Sequence, residues 1–212
     1  MELNIMTEEF HKAFTSNRGM HSLSLTMDEI AEICNYEYEE KYGNDYMGVL
    51  KLIEETDELI MAVSSSPSGA ANDPFWRLSE EWFGLVEETV DTYIMAYITG
   101  YLFRKKYGYK FEVRKNGIFD VVNESFKLTL LTKMLSIINH GVIKGFRKLF
   151  DKELGFTGRL IIMNQVNEIG SLYVAIQRRF QIDAKDLDTM MFVKCKRLLD
   201  KYNYEYDILD TK

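Results

Sequence analysis

LIEETDELIMAV, residues 52 to 63, places three glutamates and an aspartate in a stretch that otherwise reads as a buried helix. From Tyr46 to about Ser64 the apolar residues Leu50, Ile53, Ile60 and Val63 recur at helical spacing. On such a helix Leu52, Glu55, Leu59 and Ala62 share one face, with Glu58 beside Glu55 at i+3. Charge removed from water is costly unless something pairs with it. Either these acids face solvent, or something cationic sits among them.

The next long helix, expected from about Leu78 to Lys106, repeats the anomaly in LVEETVDTYIMAYI (85–98). There Leu85, Glu88, Asp91, Met95 and Ile98 form one stripe, interrupted by two acids. The stretch SSSPSGAANDP (64–74) is built from small, turn-forming residues and reads as the loop between the two helices. In an antiparallel pair the four acids can converge. Four carboxylates so placed repel one another and need divalent cations, and hard oxygen ligands select magnesium or manganese over zinc. On the residues alone two readings stand: the solvated faces of ordinary helices, or a magnesium site.

Helical patterns dominate the rest of the chain. Thr26 followed by Glu29 fits a capping box before TMDEIAEICNYEYEEKYG, and Gly43-Asn44-Asp45 ends that pattern. Residues 4 to 16 suit a short helix. YKFEVRKNGIFDVV (109–122) alternates around Asn116-Gly117, the signal of a short β-hairpin. Further helices are predicted over 124–153, 159–182 and 184–203, with Gly155 and Gly158 marking a break and Asp183 and Asp186 available as caps. The tail NYEYDILDTK (203–212) is expected to fray. With only two prolines in 212 residues, long uninterrupted helices are favoured, and the expected fold is a single all-α domain over 1–212.

The net charge of −7 argues against broad attraction to nucleic acid. Cys34 and Cys195 match no metal-ligand spacing and read as free thiols of a reducing cytosol. MELNIMTEEF lacks the pattern of a signal peptide, and no apolar run approaches the roughly 20 residues of a membrane span. A cytoplasmic protein with no membrane partner is the expectation.

Glu54-Glu55-Thr56-Asp57-Glu58 reads EExxE and Glu88-Thr89-Val90-Asp91 reads ExxD, in order and in helical context. Over residues 46 to 106 this resembles the all-α nucleoside triphosphate pyrophosphohydrolase superfamily. That group includes MazG, the dimeric dUTPases and dCTPases, and the phosphoribosyl-ATP pyrophosphatases. The resemblance implies a helical bundle of the MazG and dimeric dUTPase type. It implies a magnesium site, with manganese as a substitute, held by Glu55, Glu58, Glu88 and Asp91. Glu54 would be an outer acid or orient the attacking water. The implied reaction cleaves a nucleoside triphosphate to its monophosphate and pyrophosphate.

About 80 residues on, the pattern returns in damaged form. NEIGSLYVAIQRRFQIDAKDLDTMMFVKCKRLL (167–199) resembles the ExxD helix and the helix after it. Glu168 keeps its place, Ser171 stands at the aspartate position, and the upstream LTKMLSIINHGVIKGFRKLF (131–150) has no acid cluster. Two tandem helical repeats follow: a metal-binding one over 24–106 and a degenerate one over 124–204. The family's lysine and, four residues later, asparagine are absent from the first copy, where Lys115 and Asn116 are neighbours. In the second copy Lys194 takes the lysine position and Leu198 the asparagine position.

Phosphate contacts are therefore sought at Arg104, Lys105, Lys106, Arg114, Lys115 and Asn116, with a solvated basic helix end as the alternative. Trp76 and Trp82 flank the interhelical loop, and Trp76 is a candidate for stacking on a base. The leading expectation is a homodimeric magnesium enzyme acting on a small nucleotide, with a pyrimidine nucleotide favoured. The alternative is a non-catalytic helical protein that binds a nucleotide or a protein partner.

Overall fold

Thr26 opens the first long helix. Its hydroxyl accepts from the Glu29 amide at 3.3 Å, and the Glu29 carboxylate accepts from the Thr26 amide at 2.7 Å. That reciprocal pair satisfies two donors left over at a helix start. Gly43 closes the helix with a φ of 64°, a backbone region a side chain would strain. The computed structural model of the chain describes residues 21–43, 46–67, 75–111 and 128–210. Among them are six α-helices: α1 (Met27–Tyr42), α2 (Met47–Ser65), α3 (Glu80–Tyr107), α4 (Leu128–Leu149), α5 (Gly155–Phe180) and α6 (Ala184–Lys201). A short 3-10 turn, Trp76–Leu78, precedes α3. The fold is all-α.

The buried stripe of α2 is Val49, Leu52, Thr56, Leu59 and Val63, with Glu55 on its flank. Leu50, counted with that stripe in the sequence, is 40% exposed. α3 is buried around most of its girth because it packs against α1, α2, α5 and α6. Four helices close a ring, in which α2 and α5 each pack against both α3 and α4. Neighbours in the ring run antiparallel. Gly48 lies against Ile98 and Thr99, while Thr92 Oγ1 donates to the Glu55 carbonyl at 3.0 Å. Asn139 Nδ2 donates to Asp57 Oδ1 at 2.5 Å, and the Tyr46 and Phe150 rings meet at 5.8 Å. Tyr93 meets Tyr173 at 4.9 Å, and Tyr109 meets Phe156 at 6.1 Å. One hydrophobic cluster draws on every helix, from Ile30 of α1 through Leu52, Ile98, Leu135 and Ile162 to Leu199 of α6.

Three expectations change. The expected break between helices falls at 150–154, so Gly155 opens α5 and Gly158 lies inside it. Gly158 instead lets α4 and α5 approach closely: a Cβ there would lie 2.7 Å from the Gly145 carbonyl oxygen. Backbone cannot give way as a side chain can. Gly158→Ala should therefore destabilise the fold by about 1–3 kcal/mol, even though alanine is the better helix former. Gly84→Ala, in α3 with open space around its Cβ position, should be neutral or slightly stabilising. Urea unfolding of the two variants measures the contrast.

The second change is the tail. Ile208–Asp210 forms a strand, β2, antiparallel to β1 (His21–Leu23), with Ser22 opposite Leu209. Ser24 N donates to the Asp207 carbonyl, and Asp207 N to Ser24 Oγ, both at 2.9 Å. Fraying was expected because the partner strand lies more than 180 residues away in sequence. Third, α4 ends at Leu149 and α6 at Lys201, short of the predicted 153 and 203, and α5 starts four residues earlier than predicted. The predicted hairpin over 109–122 and the helix over 4–16 fall almost wholly outside the described residues. Phe111 is the last described residue before that gap, and it packs edge-on against Tyr97. Among the described residues no helix is long and apolar enough to cross a membrane. Cys34 and Cys195 are free and buried.

Candidate functional site

Glu88 and Asp91 stand one turn apart on α3, so helix geometry alone puts them on one face. Glu55 reaches them from α2. Its carbonyl is held by Thr92, the residue after Asp91, and this bond sets the register of the two helices at the acids. Carboxylate oxygens of Glu55, Glu88 and Asp91 all lie within 4.8 Å of one another, and each side chain is half-buried.

A cation is already present among them. Lys194, from α6, places Nζ 2.5 Å from Asp91 Oδ2 and 2.5 Å from Glu87 Oε1. Its side chain is only 12% exposed. Sequence reasoning placed Lys194 in the expected second repeat and overlooked Glu87; the fold brings Lys194 beside Glu87 and Asp91. The only sequence signal for Lys194 was its position in the family pattern.

One ammonium does not neutralise the cluster. Burial pushes the Glu88 carboxyl up to about 8, with Asp91 and Glu58 adding repulsion. Burial likewise takes Glu55 up to about 7, helped by Asp91 and Glu58. Asp91 rises to about 6, because burial outweighs the attraction of Lys194. For Lys194 burial works against the charge, yet Asp91 and Glu87 prevail and raise its pKa. The two ends of this ion pair therefore differ. Asp91 faces other carboxylates as well as the ammonium, whereas Lys194 faces only acids. Glu88 Oε2 is buried with no hydrogen-bond partner among the described residues. A buried acceptor without a donor is costly, and it is the feature a bound cation would satisfy. Three carboxylates from two rigid helices suit a hard divalent ion such as magnesium or manganese.

The other nominated residues are more scattered. Glu58 is exposed and outside the three-acid group, although its charge is felt by all three members. Glu54 is exposed and pairs with Lys51 at 2.5 Å. Lys105 pairs with Glu32 on α1, and Arg104 with Asp28 at 2.7 Å, so both brace α1 against α3. Trp76 is 6% exposed and packs on Phe180 at 5.7 Å, which makes it a core anchor. Arg114, Lys115 and Asn116 lie outside the described residues. In α5, the Ser171 hydroxyl bonds the Glu168 carbonyl at 2.8 Å.

Fold and site together define a class: an all-α antiparallel bundle that gathers half-buried carboxylates from two helices, with one lysine paired at their edge. No protein-family model matches the chain, nor does any curated protein or any solved structure.

Proposed function

We propose that this chain is a divalent-metal-dependent nucleoside triphosphate pyrophosphohydrolase of the all-α superfamily that its EExxE and ExxD motifs resemble. The observation that carries this reading is the convergence of Glu55, Glu88 and Asp91, 33 or more residues apart across the two motifs, within 4.8 Å. Glu55, Glu88 and Asp91 would hold magnesium, with Glu58 and Glu54 on the open side of α2. A bound ion would neutralise the triphosphate, polarise the attacked phosphorus and lower the pKa of water for attack. The protein's own part is positional. The Thr92–Glu55 bond fixes the register of the acids, and the apolar residues beneath, Leu52, Leu59 and Leu85, keep water from the inner side.

The tandem-repeat reading has support of its own. Tyr93 and Tyr173, 80 positions apart, meet ring to ring, as equivalent residues of two copies beside a two-fold axis would. Positions 80 beyond Glu55 and Glu58 are Leu135 and Ile138, both buried. Carboxylates in one copy are thus matched by core residues in the other, which supports a structural role for the second copy. A cytoplasmic homodimer acting on a small nucleotide, with no nucleic acid partner, completes the proposal.

Incubation with magnesium and a panel of canonical and modified nucleoside triphosphates should release pyrophosphate and monophosphate from at least one of them. A diphosphate product with orthophosphate would contradict the bond assigned. The second reading, a non-catalytic helical protein, is favoured by Lys194 already sitting among the acids. Inactivity across the panel with both magnesium and manganese would select it.

A further inference from the structure

We infer that Lys194 is a tethered counter-cation that a divalent metal must displace, so that the ammonium and the metal compete for the same acids. The inference rests on the metal reading above and goes beyond it, since it concerns how the site is guarded when metal is absent.

Three observations carry it. Asp91 belongs to two sets at once: the metal-competent group with Glu55 and Glu88, and the ion pair with Lys194. A dication held by Asp91 would bring two like charges within a few ångströms, where their repulsion is large in a partly buried setting. Next, α6 does not depend on Lys194 alone for its seat. α6 is seated by Leu187, Met190, Cys195 and Leu199, all buried, while the lysine reaches the acids through a flexible four-carbon stem. The ammonium can therefore withdraw while α6 stays docked on α3. Third, among the described residues the lysine engages only the Glu87 and Asp91 side. Glu88 Oε2 is left buried without a partner among the described residues, so the ammonium occupies the site without completing it.

Competition has a defined consequence. Lys194 lowers the cluster's affinity for metal while it stabilises the metal-free fold, and the two effects are reciprocal. Binding of Mn2+ to the full chain, followed by the loss of the free-ion electron paramagnetic resonance signal, tests this. Lys194→Met keeps most of the stem's bulk and removes the charge, so it should bind Mn2+ at least about tenfold tighter than wild type. Lys194→Arg should stay near wild type. Wild-type binding with Lys194→Met equal or weaker overturns the inference and leaves the metal reading standing. No binding by either protein removes both. Should Lys194→Met fail to fold, acetylation of wild-type lysines read by mass spectrometry replaces it. Lys194 should become several-fold more reactive when Mn2+ is bound, and unchanged reactivity in the bound state overturns the inference.

Discussion

With magnesium and a nucleotide substrate in excess, Glu55→Gln should lower turnover at least about a hundredfold, the scale of losing a metal-held electrostatic contribution. Glutamine preserves the size and the hydrogen-bonding outline of the side chain. It removes the one carboxylate that α2 contributes to the three-acid group. Asp91→Asn should act similarly, since it strips the charge that α3 shares between the group and Lys194. Glu168→Gln, 80 positions beyond Glu88, should stay within about twofold of wild type, because the positions 80 beyond Glu55 and Glu58 carry buried Leu135 and Ile138 instead of acids. Steady-state kinetics on the four proteins gives the comparison. Equal losses at Glu55 and Glu168 would put the chemistry in the wrong half or spread it over both.

In EDTA the fold should become less stable as pH rises from about 5 to about 9. Burial and mutual repulsion hold Glu55, Glu88 and Asp91 at folded-state pKa values of about 7, 8 and 6, above their ordinary values of 4.5, 4.5 and 3.8. Through that interval the folded protein holds more protons than the unfolded chain. The stability these acids contribute is complete below about pH 4 and is lost as pH climbs through 6 to 8. Asp28 and Asp200, whose pKa values are lowered by hydrogen bonds and charges, act in the opposite sense only at the acidic end. The three clustered acids titrate together, so the fall should be broad. Magnesium that binds only the native state should restore roughly 2.7 kcal/mol at a hundredfold excess over its dissociation constant.

Two substitutions separate repulsion from pairing within this effect. Glu88→Gln removes a charge whose inner oxygen has no partner among the described residues, so it should raise the melting temperature in EDTA at pH 9. At pH 6, where Glu88 is already protonated, it should do little. Asp91→Asn mimics the protonated acid that the fold prefers, so it should also raise the melting temperature in EDTA at pH 9, by less than Glu88→Gln because it gives up the Lys194 pair, and should do little below about pH 5. A metal-free stability indifferent to pH over this range, and a wild type indifferent to magnesium, would reduce the acids to helix decoration.

Local chemistry makes much of this molecule readable from one chain. The Thr26–Glu29 box, the Asp183 cap, the glycine at 43 and the scarcity of proline each act within a few residues, so the helices follow from neighbours in sequence. The pairing of Glu88 with Asp91 on one face is equally local, because it depends only on 3.6 residues per turn. What the tertiary structure decides is who meets whom. Leu50 looks like core by spacing yet faces out, and α2 turns on Val49 and Leu52 instead. The close approach of Gly158 to Gly145, and the pairing of Ile208–Asp210 with His21–Leu23, require partners that periodicity cannot name. Lys105 and Trp76 were nominated by residue type, and packing assigns them to a surface brace and a core anchor. Above all, the cation beside the second acid motif comes from α6: Lys194, more than 100 residues beyond Asp91, pairs with Asp91 and Glu87. A charge is placed by the packing of the element that carries it, and packing is a property of the whole fold.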